Sequence, residues 1–205
     1  MKLKGLYAIT DEKLTPPESI LDMVRSAIIG GAKIIQLRDK KRADRDLLDV
    51  ARKLCLLCRD MGVIFMINDR VELAQKVNAH GVHIGKDDTD IFTARRMLPG
   101  RIIGVSCYNS LDRALEMENR GADYAAFGSL FPSSTKPGAV RADPALIKEA
   151  KSRLQIPVCA IGGITPENAP LAVEAGADMV AIVSSLWKAK DIRRQAERFA
   201  RLFNR

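Results

Sequence analysis

Short runs of apolar, largely β-branched residues recur along the chain, each followed by a longer segment whose apolar positions return every three or four residues. The runs predict strands at LYAIT (6–10), KIIQLR (33–38), IFMIND (64–69), GVHIG (81–85), IIGVSC (102–107), YAAFGS (124–129), PVCAIG (157–162) and MVAIVSS (179–185). Between them the periodicity predicts helices, among them Pro17–Gly30, Ala43–Met61 and Thr165–Gly176, the last with Thr165 as N-cap and Pro166 as its first residue. A final segment, Trp187–Arg205, sets Ile192, Ala196, Phe199 and Phe203 on one stripe and predicts a closing helix. Such regular alternation favours parallel pairing through right-handed crossovers. Eight units in 205 residues average about 26 residues each, near the lower size limit of an eightfold barrel. The expected fold class is α/β, a single (β/α)8 TIM barrel forming one domain over residues 1–205. A doubly wound open sheet is the alternative, disfavoured because the chain carries neither GxGxxG after the first strand nor GxxxxGK[ST].

Composition refines this picture. With 47% hydrophobic and 28% charged residues the chain has material for a full core. Lys and Arg number 33 against 25 Asp and Glu, a formal net charge of +8, which favours anionic partners without selecting among them. Much of the excess lies in the closing helix, where a solvated face explains it. Only 5% of residues are aromatic, and Phe199 and Phe203 of the basic closing segment lie on its apolar stripe, so no nucleic-acid partner is expected. No apolar run approaches the roughly 18 residues of a membrane helix, and Asp11 and Glu12 interrupt the opening segment too early for a signal-peptide core. A cytoplasmic protein without a membrane partner is expected, and a homo-oligomer is compatible with the sequence. Cys55 and Cys58 form a CxxC inside a helical pattern with no second pair, which reads as core packing.

Candidate chemistry collects where a barrel keeps its active site, at the carboxyl ends of the strands. The second predicted strand ends in Gln36, Arg38, Asp39 and Lys40, the third in Asn68 and Asp69, and the fourth is followed by Lys86, Asp87 and Asp88. The fifth ends at Ser106, and the sixth leads into Ser133, Ser134, Thr135 and Lys136. Strands seven and eight end instead in Gly162, Gly163, Ser184 and Ser185, small residues whose backbone N–H groups can approach an anion. Carboxylates Asp69 and Asp88 beside cations Arg38, Lys40 and Lys136 suggest a divalent metal, Mg²⁺ by its preference for hard oxygen ligands, together with a phosphorylated ligand. Gln36 and Arg38 share parity and so face the same side. His83, flanked by Val82 and Ile84 and accompanied by no nucleophile motif, reads as a structural histidine, and His80 as loop surface.

Several strings in this order, LYAITD, GGAKIIQLRDK, IND, GVHIGKDD, GVS, GADYAAFGSLFPSSTKP and AIGGIT, make the chain resemble the thiamine phosphate synthase and thiazole tautomerase family from Tyr7 to about Ser185. The resemblance implies a (β/α)8 barrel and a transferase of thiamine biosynthesis. That enzyme couples hydroxymethylpyrimidine pyrophosphate to a thiazole phosphate with Mg²⁺, ionising the pyrimidine methylene carbon before the thiazole nitrogen attacks. It further implies that Gln36, Arg38, Lys40, Asn68 and Lys136 hold the pyrimidine pyrophosphate, and that Asp69 and Asp88 hold Mg²⁺. Ser106 would lie beside the pyrimidine and the departing pyrophosphate, and Arg38, Lys40, Ser106 and Lys136 would form the catalytic set. Ser133 and Thr135, with backbone at Gly162, Gly163, Val183, Ser184 and Ser185, would receive the thiazole phosphate. The loop over 131–140 is expected to close over substrate. Departures from the family pattern are Tyr108 for the usual His, Lys86 for Gln, Ser133 for Thr, and His80 where Asp commonly precedes the glycine. A tautomerase of the same family would carry His at 108 and degraded pyrophosphate residues. A non-catalytic phosphate-binding barrel would not need the acid pair.

Overall fold

The structure is a computed structural model and describes residues 2–132 and 140–203. Eight strands, β1 (Gly5–Ile9), β2 (Ile34–Leu37), β3 (Ile64–Asn68), β4 (Gly81–Ile84), β5 (Ile102–Tyr108), β6 (Tyr124–Phe127), β7 (Val158–Ile161) and β8 (Met179–Ile182), pair in parallel and close into a barrel in sequence order. Helices α1 (Ile20–Ile29), α2 (Asp44–Asp60), α3 (Val71–Lys76), α4 (Ile91–Met97), α5 (Leu111–Asn119), α6 (Pro144–Arg153) and α7 (Ala169–Glu174) form the crossovers, and α8 (Ser184–Trp187) and α9 (Ile192–Ala200) follow the last strand. The architecture is the expected (β/α)8 barrel.

Strand alternation divides the apolar residues between two layers. Outward-facing Leu6, Ile35, Phe65, Val82, Val105, Phe127, Val158 and Val180 join the helix faces in one large core. Inward-facing Tyr7, Ile34, Met66, Tyr124, Cys159 and Met179 fill the barrel itself. Gly104 on β5 makes room for the largest of these. A Cβ there would stand 2.0 Å from the Tyr124 ring, so only glycine lets that ring cross the interior. Cys55 and Cys58 are free thiols on the buried face of α2, as core packing requires.

The barrel floor is fastened by acids that accept both a strand N–H and a cation. Asp123 accepts from Ile103 N–H at 2.7 Å and from Arg95 at 2.6 Å. Asp178 does the same with Val158 N–H at 2.8 Å and Lys151 at 2.7 Å.

Several expected boundaries shift, among them the start of α1 from Pro17 to Ile20 and the end of β6 from Ser129 to Phe127. The strand drawn through Ser185 ends at Ile182, and Ser184 and Ser185 begin α8. Helix α7 begins at Ala169 because Asn168 accepts from Thr165 N–H and donates to Gly163 O, holding residues 165–168 in a turn. The predicted closing helix is two, with α9 restarted by Asp191, whose carboxylate caps Arg194 N–H. Trp187 thus ends α8 and donates its indole N–H to Ile9 O at 2.6 Å.

Candidate active site

Because all eight strands are parallel, their carboxyl ends share one mouth, and the expected site residues with described positions gather there. Gln36 is buried on β2, Arg38 and Lys40 follow it, Asn68 ends β3, Asp69 comes next, and Asp88 lies on the β4–α4 connection. Ser133, Thr135 and Lys136 lie outside the described residues, as does most of the 131–140 loop.

Asp69 leaves β3 with φ +62°, in the left-handed region that Asp tolerates better than most side chains. Its N–H donates to His83 O at 2.8 Å, which ties the turn to β4. Lys40 Nζ reaches across to Asp69 Oδ2 at 3.1 Å. Asp88 accepts from Gly85 N–H at 2.7 Å and stands within hydrogen-bonding reach of Asp69. Burial, then the hydrogen bond and negative charge of Asp69, hold the Asp88 carboxyl above its ordinary value. Two converging carboxylates in this state suit a divalent cation, whose charge would remove the repulsion between them and whose remaining positions water and phosphate can fill. Among the described residues no group of three or more His, Cys, Asp or Glu could hold a metal.

Arg38 is held at its base, where its N–H donates to Thr10 Oγ1 at 2.9 Å, and at its head, 3.5 Å from Glu12 Oε2. Glu12 Oε2 is buried without a hydrogen-bond partner among the described residues. In the sequence Glu12 serves, with Asp11, only to exclude a signal-peptide core, although its place three residues after the end of β1 is the available signal. Asp39, grouped with the candidate polar residues, is a loop builder. It accepts from Lys41 N–H, Arg42 N–H and the Arg42 guanidinium, all at 2.8 Å.

Across the mouth, Gly162 and Gly163 have φ +97° and +63° and lie under the loop that follows β6. A Cβ on Gly163 would meet Pro132 O at 2.3 Å, and one on Gly162 would meet Ser129 Oγ at 2.2 Å. Phe131 N–H donates to Gly162 O at 3.0 Å, so the segment leading into residue 133 starts against these glycines. Ser185 donates to Ile164 O at 2.7 Å, joining the β7 and β8 loops, while Val183 caps α8. The Ser185 hydroxyl is therefore a stitch between loops.

Ser106, on β5, contacts His83 Nε2 at 2.9 Å. His83 Nδ1 lies 2.9 Å from the Tyr124 hydroxyl, so both ring nitrogens are engaged, in keeping with a structural histidine. Tyr7 and Tyr124 sat unremarked in the sequence because an aromatic in a strand reads as core.

Parallel barrel, paired acids beside a lysine, and a glycine-lined opposite rim together define the class, a (β/α)8 barrel with a charged mouth at the carboxyl ends of its strands. The family model described as thiamine monophosphate synthase matches residues 6–186, and the chain belongs to that family. Curated thiamine-phosphate synthases from Nitrosococcus oceani and Thioalkalivibrio sulfidiphilus are 46% and 47% identical to it over 202 and 204 residues. Each alignment covers 98% of this chain, with 93% and 96% of the respective relatives. The solved thiamine phosphate pyrophosphorylase from Pyrococcus furiosus superposes with a TM-score of 0.90 at 36% identity, covering 98% of this chain and 95% of that one.

Proposed function

We propose that this barrel joins hydroxymethylpyrimidine pyrophosphate to a thiazole phosphate, giving thiamine phosphate and pyrophosphate. The observation that carries the reading is the convergence of Lys40, Asp69 and Asp88 from three strand ends in a chain of this family. Gln36, Arg38, Lys40, Asn68 and Lys136 bind the pyrimidine pyrophosphate, and Ser106 lies beside it. Ser133 and Thr135, with backbone at Gly162, Gly163, Val183, Ser184 and Ser185, receive the thiazole phosphate. Asp69 and Asp88 would hold Mg²⁺, which would supply positive charge against the leaving pyrophosphate.

In the reaction the bond between the pyrimidine methylene carbon and the pyrophosphate oxygen breaks, its electron pair leaving with pyrophosphate, and the thiazole nitrogen lone pair forms the new C–N bond. No proton has to be removed, so no general base is required. Arg38, Lys40 and Lys136 stabilise the charge developing on the leaving group, and each preorganised contact of this kind contributes on the order of 3 kcal/mol to the barrier. The glycine rim fixes the nucleophile's phosphate and hence its direction of approach.

Thiamine phosphate formation from the two substrates, with Mg²⁺ and with a chelator, tests this directly. Product only with Mg²⁺ is expected. A folded protein that binds thiazole phosphate but forms no product under either condition would return the chain to the tautomerase or binding-protein reading.

A further inference from the structure

Five polar side chains from five strands form one hydrogen-bonded line through the barrel interior. Gln36 Nε2 on β2 donates to the Tyr7 hydroxyl on β1 at 2.6 Å. The Tyr7 and Tyr124 hydroxyls are 2.9 Å apart, and Tyr124 on β6 lies 2.9 Å from Nδ1 of His83 on β4. His83 Nε2 is 2.9 Å from Ser106 Oγ on β5. The two tyrosines are 1% and 0% exposed, so their hydroxyl protons have only these partners to bond. The ends of the line are Gln36 and Ser106, both assigned above to the pyrimidine pyrophosphate.

Counting protons gives the line a direction. The Tyr7 oxygen receives the Gln36 N–H, so the Tyr7 proton goes to Tyr124, and the Tyr124 proton goes to His83 Nδ1. The imidazole is then neutral with its proton on Nε2, which donates to Ser106 Oγ. The Ser106 proton is left for a ligand. Burial raises both tyrosine hydroxyls well above their ordinary value, which keeps both protons in place. With a neutral imidazole, the other fully paired arrangement is the complete reverse. It requires an oxygen of residue 36 toward Tyr7, a proton on His83 Nδ1, and the Ser106 proton turned inward to Nε2.

We infer that Tyr7, Tyr124 and His83 are positioning residues that couple the Gln36 carboxamide to the Ser106 hydroxyl across the barrel, so that residue 36 keeps its oxygen and Ser106 its proton for the substrate. The substrate specificity this implies rests on the proposed coupling reaction. A group bound between them meets an acceptor from β2 and a donor from β5, and an edge with the opposite polarity is refused because a buried polar group would be left unpaired. The rings are held for this task. Tyr7 and Tyr124 pack edge to face at 6.1 Å and 74°, His83 stacks on Tyr124 at 5.6 Å and 26°, and Gly104 yields the space that the Tyr124 ring occupies.

The test needs no turnover. The chain has two histidines, so side-chain ¹⁵N NMR of the full-length protein at pH 8, with His80→Gln to assign His80, reads the His83 tautomer directly. His83 is expected with its proton on Nε2. Gln36→Glu places an acceptor at the head of the line and is expected to move the proton to Nδ1. Tyr7→Phe, which cuts Gln36 off, is expected to populate both tautomers and to raise the KM for pyrimidine pyrophosphate about 10-fold while leaving that for thiazole phosphate within about twofold, a split in line with lost substrate orientation. A wild-type proton on Nδ1, or a His83 tautomer unchanged in a folded Gln36→Glu protein, overturns the coupling. Should Gln36→Glu fail to fold, an unchanged tautomer in Tyr7→Phe overturns it equally. Loss of coupling activity with the predicted tautomers intact would sink the reaction assignment and leave the line standing.

Discussion

Lys40 Nζ lies 3.1 Å from Asp69 Oδ2, joining the loops after β2 and β3 across the mouth. The Lys40 side chain is 50% exposed, so as a stabilising pair this contact contributes about 1 kcal/mol or less. Its value is positional, because it keeps a cation next to the acid pair before any ligand arrives. Lys40→Met should therefore lower the coupling rate by about 100-fold or more while shifting stability by less than about 1 kcal/mol. Rates of thiamine phosphate formation and urea midpoints on the same sample check both halves. Asp69→Asn and Asp88→Asn should each lower the rate by a similar factor, and a chelator should abolish it.

Tyr108 ends β5 with φ +56°, and its hydroxyl accepts from Lys86 N–H at 3.3 Å on the loop that carries Asp88. A hydrogen bond this long to an exposed loop contributes at most about 1 kcal/mol. Tyr108→Phe is expected to retain coupling within about 10-fold of the native rate, far above Asp69→Asn. A loss as large as that of Asp69→Asn would move Tyr108 into the reacting machinery.

Asp178 sits on the opposite end of the barrel from the mouth, where conserving structure matters more than chemistry. Asp178→Ala leaves the Val158 N–H and the Lys151 ammonium without their acceptor, and about 1–3 kcal/mol of stability should be lost. The urea midpoint reports this, and kcat at a temperature where the variant is folded should stay unchanged.

His80 Nδ1 accepts from Phe65 N–H at 3.0 Å, and burial followed by the charges of Arg101 and Arg59 holds its pKa below the ordinary 6.5. Below pH 6.5 the unfolded chain binds a proton at this ring before the folded one does, so stability rises with pH through that region. The urea midpoint should fall progressively as pH is lowered from 7.5 to 5.5, and His80→Gln should flatten that slope. An equal slope in the variant would assign the acid sensitivity elsewhere.

The alternation of β-branched runs and amphipathic segments was enough to count eight strands, because inward and outward positions of a parallel barrel are both apolar and each strand is bounded by turn residues. The boundaries that moved at Ser184, Ala169 and Asp191 depend on capping side chains and packing that local periodicity does not register. That Asp69 and Asp88 lie at the mouth was legible because parallel strands send all carboxyl ends to one end of the barrel.

The sequence by itself determined the barrel, the family, and the charged character of the mouth, since these follow from patterns repeated along the chain. Only the tertiary structure decided that Glu12 faces Arg38, that Asp69 and Asp88 converge, and that Tyr7 and Tyr124 connect Gln36 to Ser106. Those relationships join residues up to 117 positions apart. Strand order and register bring them together, and an aromatic on an inward position has the same appearance in sequence whether it fills space or carries a hydrogen bond.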